Sequence, residues 1–195
     1  MRELLRERLE EREARKIDRE SHAAVLVPIV STPEGPELLL TRRTESVGTH
    51  RGQVAFPGGN AEPGDGSPEV TALREAEEEI GLPRASVELL GRLDAFPTVT
   101  NRTAVTPVVG WVEALPPLTP QDDEVARIFS IPFARLREAK GWRSQMVEHE
   151  GRTYPLYFFD WDGEVLWGLS AYITLALLDL TPEGAPFELP QARIR

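Results

Sequence analysis

The chain has no cysteine, which removes disulfides, zinc–thiolate centres and a cysteine nucleophile together. Positive charge is in short supply: 22 Lys and Arg stand against 32 Asp and Glu, for a formal net charge of −10. A broad nucleic-acid-binding surface needs a basic face, so no nucleic-acid partner is expected. A phosphorylated small molecule stays compatible, provided metals or a few arginines reverse the local field. Long uncharged apolar runs are also missing. The opening MRELLRERLEEREARKIDRE lacks the apolar stretch of a signal peptide. The most hydrophobic late segment, 168–180, is too short to span a bilayer and suits a buried helix. These absences point to a cytoplasmic protein with no membrane association.

What is present is ordinary for a globular chain: 41% hydrophobic and 28% charged residues over 195 positions, enough for one ample domain. Residues 1–20 alternate Arg and Glu around a thin stripe of Leu4, Leu5 and Leu9, which predicts a solvated helix or an interaction arm. AAVLVPIV (23–30) and ELLLT (37–41), separated by TPEGP, predict a hairpin. Gln53 to Phe56 is strand-like and runs into a Pro-Gly-Gly turn. A helix is predicted from Pro68 to Ile80, stopped by Gly81 and Pro83. Strand signals follow in 87–96 and 104–112, then a strand and short helix in 124–138. A hairpin turning at Asp162-Gly163 comes next, and an apolar helix from Ser170 to Leu180. The absence of repeats or a convincing linker predicts a single mixed α/β domain.

One stretch stands out. In TALREAEEEIGL (71–82), four of five consecutive residues from Glu75 to Glu79 are carboxylates, and like charges this close cost helix stability. On a helix with Glu75 as zero, Glu79 falls near 40° and Glu78 near 300°, so these three share an arc of about 100°. Ala72, Leu73, Ala76 and Ile80 occupy a separate, core-facing stripe. Hard oxygen ligands on one side suit Mg²⁺ or Mn²⁺, whose binding would relieve the repulsion. Taken alone, an acidic surface helix fits the same residues.

The surrounding residues resemble the Nudix hydrolases. The signature helix of that family, Arg-Glu-apolar-x-Glu-Glu-x-Gly-apolar, is matched by Arg74 through Leu82, and its upstream glycine by Gly59. The spacing from Gly59 to Arg74 is one position longer than usual, with Asp65 at the intermediate acidic position. That variation is similar to the coenzyme A pyrophosphatase branch, as are Leu39-Leu40-Thr41, Gly52 and Phe56-Pro57-Gly58-Gly59. Thr44 and Gly48 depart from the branch pattern, in which a Ser or Ala and a basic residue are usual. The likeness spans about residues 23–180.

The resemblance implies a Nudix fold, a mixed β-sheet sandwiched between helices (α/β/α), over 23–182, with a charged helix at 1–22 and a tail at 183–195. It implies a small-molecule substrate, coenzyme A or a derivative, hydrolysed at its diphosphate with Mg²⁺ or Mn²⁺; homodimerisation stays open. Glu75 and Glu79 become primary metal ligands, with Glu78 and the Gly59 carbonyl as further ones. Arg74 is assigned to orienting carboxylates. The general base is Glu78 or Glu124, with Asp123 behind the latter. Arg42, Arg43, Arg51 and Arg102 are candidates for the substrate's phosphates, and His50 for a loop contact near it. Trp111, Trp161 and Trp167 are assigned to packing. Two alternatives remain: a Nudix hydrolase of ADP-ribose, a dinucleoside polyphosphate or a damaged nucleotide, and a nucleotide-binding Nudix module without catalysis. The second usually lacks signature carboxylates, all of which are present here.

Overall fold

The computed structural model describes residues 1–45, 52–149 and 151–187. Helix α1 (Arg2–Glu10) precedes strands β1 (Ser21–Val30), β2 (Glu37–Arg43), β3 (Val54–Ala55) and β4 (Gly58–Asn60). Helix α2 (Pro68–Ile80) follows, then β5 (Glu88–Arg92), β6 (Phe96–Pro97), β7 (Thr103–Val112), β8 (Val125–Pro132) and the short α3 (Phe133–Leu136). The chain continues through β9 (Trp142–His149), β10 (Arg152–Trp161), β11 (Glu164–Trp167) and α4 (Gly168–Asp179).

Eight strands form one mixed sheet along the path β3-β2-β1-β7-β5, with β8 pairing β2, β4 pairing β1 and β6 pairing β7. β1 and β7 are parallel over their whole length, from Ser21↔Thr103 to Val30↔Val112. β1 and β2 form the expected hairpin, with Ile29 opposite Leu38. β9, β10 and β11 make a separate antiparallel sheet. Its hairpin turns at Asp162-Gly163 as expected, while β9 was not anticipated from the sequence.

Burial falls on both faces of the large sheet because successive strand residues point to opposite sides. On one face Leu26, Val30, Leu39, Val108 and Val112 pack beneath Ala72, Ala76, Ile80 and Leu82 of α2 and its exit. On the other, Val27, Ile29, Leu38, Leu40 and Val109 meet α4, α1 and the three-stranded sheet. The apolar α4 lies within this second core, and no helix among the described residues is long and apolar enough to cross a membrane.

One expectation is overturned. Leu5 has no exposed surface and Leu9 only 5%, so α1 is part of the core and not a solvated arm. Its thin apolar stripe packs against β5, and Arg8 Nη1 donates to the carbonyls of Leu180 (3.0 Å) and Thr181 (3.1 Å) beyond α4.

Helix α2 is specified locally at both ends. Ser67 is the N-cap and its hydroxyl accepts from the Val70 amide, Pro68 occupies the first turn, and Gly81 closes the helix in the left-handed region at φ 66°. These choices fix where the carboxylates sit along the axis.

Candidate active site

The acidic face of α2 packs against the turn of Phe56-Pro57-Gly58-Gly59. Glu79 Oε2 accepts a hydrogen bond from the Gly58 amide at 3.2 Å. Its side chain is only 5% exposed, and Arg43 Nη1 lies 3.8 Å from Oε1. Burial is the main reason the Glu79 carboxyl is pushed up to about 7; the Gly58 amide and Arg43 oppose this, while Glu75 and Glu124 add to it. Glu75 is likewise raised by burial, opposed by Arg74 and reinforced by Glu78 and Glu124. Three acids, Glu75, Glu79 and Glu124, therefore feel one another although they come from a helix and a distant loop.

The Glu75 carboxylate lies over the backbone of Gly59: a Cβ at that position would stand 2.5 Å from its Oε1 and 2.7 Å from its Oε2. Only glycine leaves room for this approach. Gly59→Ala is expected to leave the melting temperature within a degree or two, since the end of a flexible side chain can swing away. Displacing that ligand should nevertheless lower kcat about 100-fold, a typical cost of misplacement by an ångström or so. Thermal melts and steady-state rates on the same preparation check both parts; equal loss of stability and rate would contradict this account.

Arg74 forms the hub beside this turn. Its Nε and Nη2 grip Asp65 in a two-pronged pair at 3.0 Å each, Nη1 reaches Glu78 at 2.9 Å and Glu75 at 3.0 Å, and Nη2 also donates to the Asn60 carbonyl at 3.1 Å. Asp65 is buried and also accepts from the Thr71 hydroxyl and the Glu62 amide, both at 2.9 Å. The Arg74 pairing first, and the amide of Glu62 next, hold Asp65 well below the usual carboxylate range. Asp65 thus anchors the arginine that orients two signature glutamates, a role absent from the sequence reading although its spacing to Thr71 and Arg74 was open to inspection.

The other candidates separate clearly. Arg42 and Arg43 are adjacent on β2, with an irregularity in the ladder between them, and engage different partners. Arg43 faces the carboxylates; Arg42 Nε lies 3.7 Å from Glu164 of the second sheet, which Arg127 also engages at 3.1 Å. Arg102 is exposed and pairs with Glu20 at 3.0 Å. Neither contact involves the signature acids. His50 and Arg51, like Gly48, fall outside the described residues. Glu77 pairs with Arg84 at 2.7 Å on the exposed side. Trp111 is buried, Trp161 Nε1 donates to the Ser130 carbonyl at 3.1 Å, and Trp167 stacks on Phe158.

Among the described residues, no group of three or more His, Asp or Glu side chains is arranged as a ready-made metal cage. The trio expected from the helical arc is unevenly placed: the Glu78 side chain is 53% exposed and shares Arg74 Nη1 with Glu75, while Glu75 and Glu79 lie beside Gly59 and Gly58. The donor set still suits a hard divalent ion. Two half-buried or buried carboxylates disfavour their own charge and adjoin a backbone that permits close approach, so a bound cation would offset the cost of ionising them.

A family model described as the NUDIX domain matches residues 20–157. The chain belongs to the Nudix family. The Nudix hydrolase NudL of Yersinia pestis (strain Pestoides F), itself uncharacterized, is 44% identical over 151 residues, covering 77% of this chain and 75% of that protein. Among solved structures, a MutT/nudix family protein from Enterococcus faecalis is similar with a TM-score of 0.55 at 19% identity, over 87% of this chain and 65% of that one. The Nudix hydrolase RenU from M. smegmatis gives 0.51 at 21% identity, over 62% and 75% respectively. Membership makes the chain a Nudix hydrolase, an enzyme of the pyrophosphohydrolase type, and its α/β architecture is that of the family. Nudix hydrolases generally require divalent metal ions and act on small nucleotide-like molecules.

Proposed function

We propose that this Nudix hydrolase cleaves the diphosphate of coenzyme A or its derivatives, releasing 3′,5′-ADP and 4′-phosphopantetheine or its acylated form. The observation that carries this reading is the meeting of two elements of the coenzyme A branch pattern. Leu39-Leu40-Thr41, on β2, leads to Arg43 at the rim of the carboxylates, and Phe56 to Gly59 lies directly under Glu75 and Glu79. The long spacing from Gly59 to Arg74 supports it further.

In this reading Glu75, Glu79 and the Gly59 carbonyl would hold the divalent ions, Mg²⁺ or Mn²⁺. Bound there, the ions supply positive charge to the diphosphate and acidify the attacking water. The water oxygen bonds one phosphorus as the bridging P–O bond breaks, and Glu124 takes the proton. Glu124 is favoured over Glu78 as base because its charge acts on both Glu75 and Glu79, while the Glu78 side chain is 53% exposed. Arg43 meets the phosphates, and Arg74, held by Asp65, keeps Glu75 and Glu78 in place. A cytoplasmic location fits the cofactor-like substrate.

The test is a product assay with coenzyme A, acyl-CoA and ADP-ribose, each with Mg²⁺ and with Mn²⁺. Release of 3′,5′-ADP from the first two supports the proposal. Brisk ADP-ribose cleavage with coenzyme A untouched would transfer the protein to another substrate class.

A further inference from the structure

Thr44 departs from the usual Ser or Ala of the coenzyme A branch pattern, and the structure gives its hydroxyl a specific task. β2 ends at Arg43, which pairs with Val125 after an irregularity in the ladder. Thr44 continues past the strand end, where its amide donates to the Glu124 carbonyl at 2.9 Å and its hydroxyl to the Asp123 carbonyl at 2.8 Å. At the same time its own carbonyl accepts from the Gly52 amide at 3.3 Å.

The loop that Thr44 grips is tied at its other end to α2. The Thr119 amide donates to the Ile80 carbonyl at 3.0 Å and the Gln121 amide to the Glu79 carbonyl at 2.8 Å, satisfying the helix terminus. The Glu124 and Val125 amides then close back on the Gln121 carbonyl at 3.0 and 2.9 Å. Glu124 thus rides on a short segment fixed by the metal-site helix on one side and by Thr44 on the other. Among these ties only the Thr44 hydroxyl is a side-chain group, so it alone can be removed by substitution while the backbone contacts stay.

We infer that Thr44 is a positioning residue for the hydrolytic step: its hydroxyl holds the 121–124 turn so that the Glu124 carboxylate stays within reach of Glu75 and Glu79. This rests on the proposed role of Glu124 as base. A threonine or serine can make this bond and an alanine cannot.

The test is a double-mutant cycle on the full chain, with coenzyme A and ADP-ribose assayed in parallel so that substrate choice does not mask the effect. Glu124→Gln should lower kcat about 10²–10⁴-fold. Thr44→Val, and Thr44→Ala as a second variant, should lower kcat roughly 10–100-fold with KM within about 3-fold. Thr44→Ser should stay within about 3-fold of the parent. The combined T44V/E124Q protein should be no slower than E124Q alone, because Thr44 acts only through Glu124. Full activity of both T44V and T44A, or multiplication of the two losses in the double variant, overturns the inference. A wild-type rate for E124Q sinks the assignment of the base, and that of Thr44 with it. Full activity of T44V and T44A beside an inactive E124Q removes only the role of Thr44.

Discussion

Glu79→Gln should abolish most metal-dependent hydrolysis and, in metal-free buffer near neutral pH, raise the melting temperature. The two effects have one origin. Glu79 is nearly buried and its carboxyl is pushed from 4.5 to about 7, chiefly by burial. The unfolded chain loses this proton first, so the folded state is penalised progressively as pH rises from about 4.5 to 7, and the penalty is constant above that. A shift of that size corresponds to at most about 3 kcal/mol. The opposing pull of Arg43 is already contained in that shift, and residual solvation of the site leaves a gain of about 1–3 kcal/mol for the neutral glutamine, or roughly 2–10 °C in a chain this long. The amide oxygen of glutamine still accepts from Gly58, so no buried donor is orphaned. Rate should fall at least about 10²–10³-fold, the scale expected when one electrostatic contact to the reacting centre is removed. Melting curves at pH 4.5 and pH 8, with and without Mg²⁺, provide the check. The variant should lead the parent at pH 8 and match it at pH 4.5, and Mg²⁺ should stabilise the parent more. A parent that melts higher at pH 8 without metal would show that the buried carboxylate carries no strain.

Which features were readable beforehand follows from how local their causes are. The bounds of α2 came from Pro68, Gly81 and Pro83, three residues whose conformational preferences act within one turn. The β1–β2 hairpin and the Asp162-Gly163 turn are equally short-range. The parallel pairing of β1 with β7 is not: about eighty residues separate its partners, and nothing in either run names the other. β9 escaped notice because WRSQMVEH has no apolar alternation; it exists as a strand through its pairing with β10. At the site, the same contrast holds. Glu75, Glu78 and Glu79 were legible as one helical arc, but the arc could not reveal that Arg74 bridges Glu75 and Glu78 while Asp65 anchors it. Nor could it reveal that Glu124 comes back to the helix through the Gln121 amide. Arg42 and Arg43 were treated alike, because their different partners, Glu164 and Glu79, and the irregularity between them belong to the fold and not to the local sequence.

The clearest misreading, α1, leads to the largest stability effect. Nine residues rich in Arg and Glu read as solvated because charge dominates their average, while the two leucines that matter occupy one position per turn. Leu5 and Leu9 fit against β5 where Gly91, at φ 144°, removes the side chain that would block them: a Cβ there would come within 2.8 Å of the Leu9 Cβ. The guanidinium of Arg8, on the same helix, binds the carbonyls that follow α4, so the apolar contact and the polar one position each other. Leu5→Ala should therefore cost about 2–5 kcal/mol, the range for a fully buried leucine, and lower the melting temperature by roughly 5–15 °C. Glu7→Ala, on the exposed side of the same helix, should change stability by less than about 0.5 kcal/mol. Because α1 lies on the face of the sheet opposite α2, kcat measured well below the melting temperature should be unaltered in both variants. Equal melting temperatures for the two would return α1 to the status of a solvated arm; a loss of kcat in Leu5→Ala with folding intact would mean that strain crosses the sheet to the carboxylates.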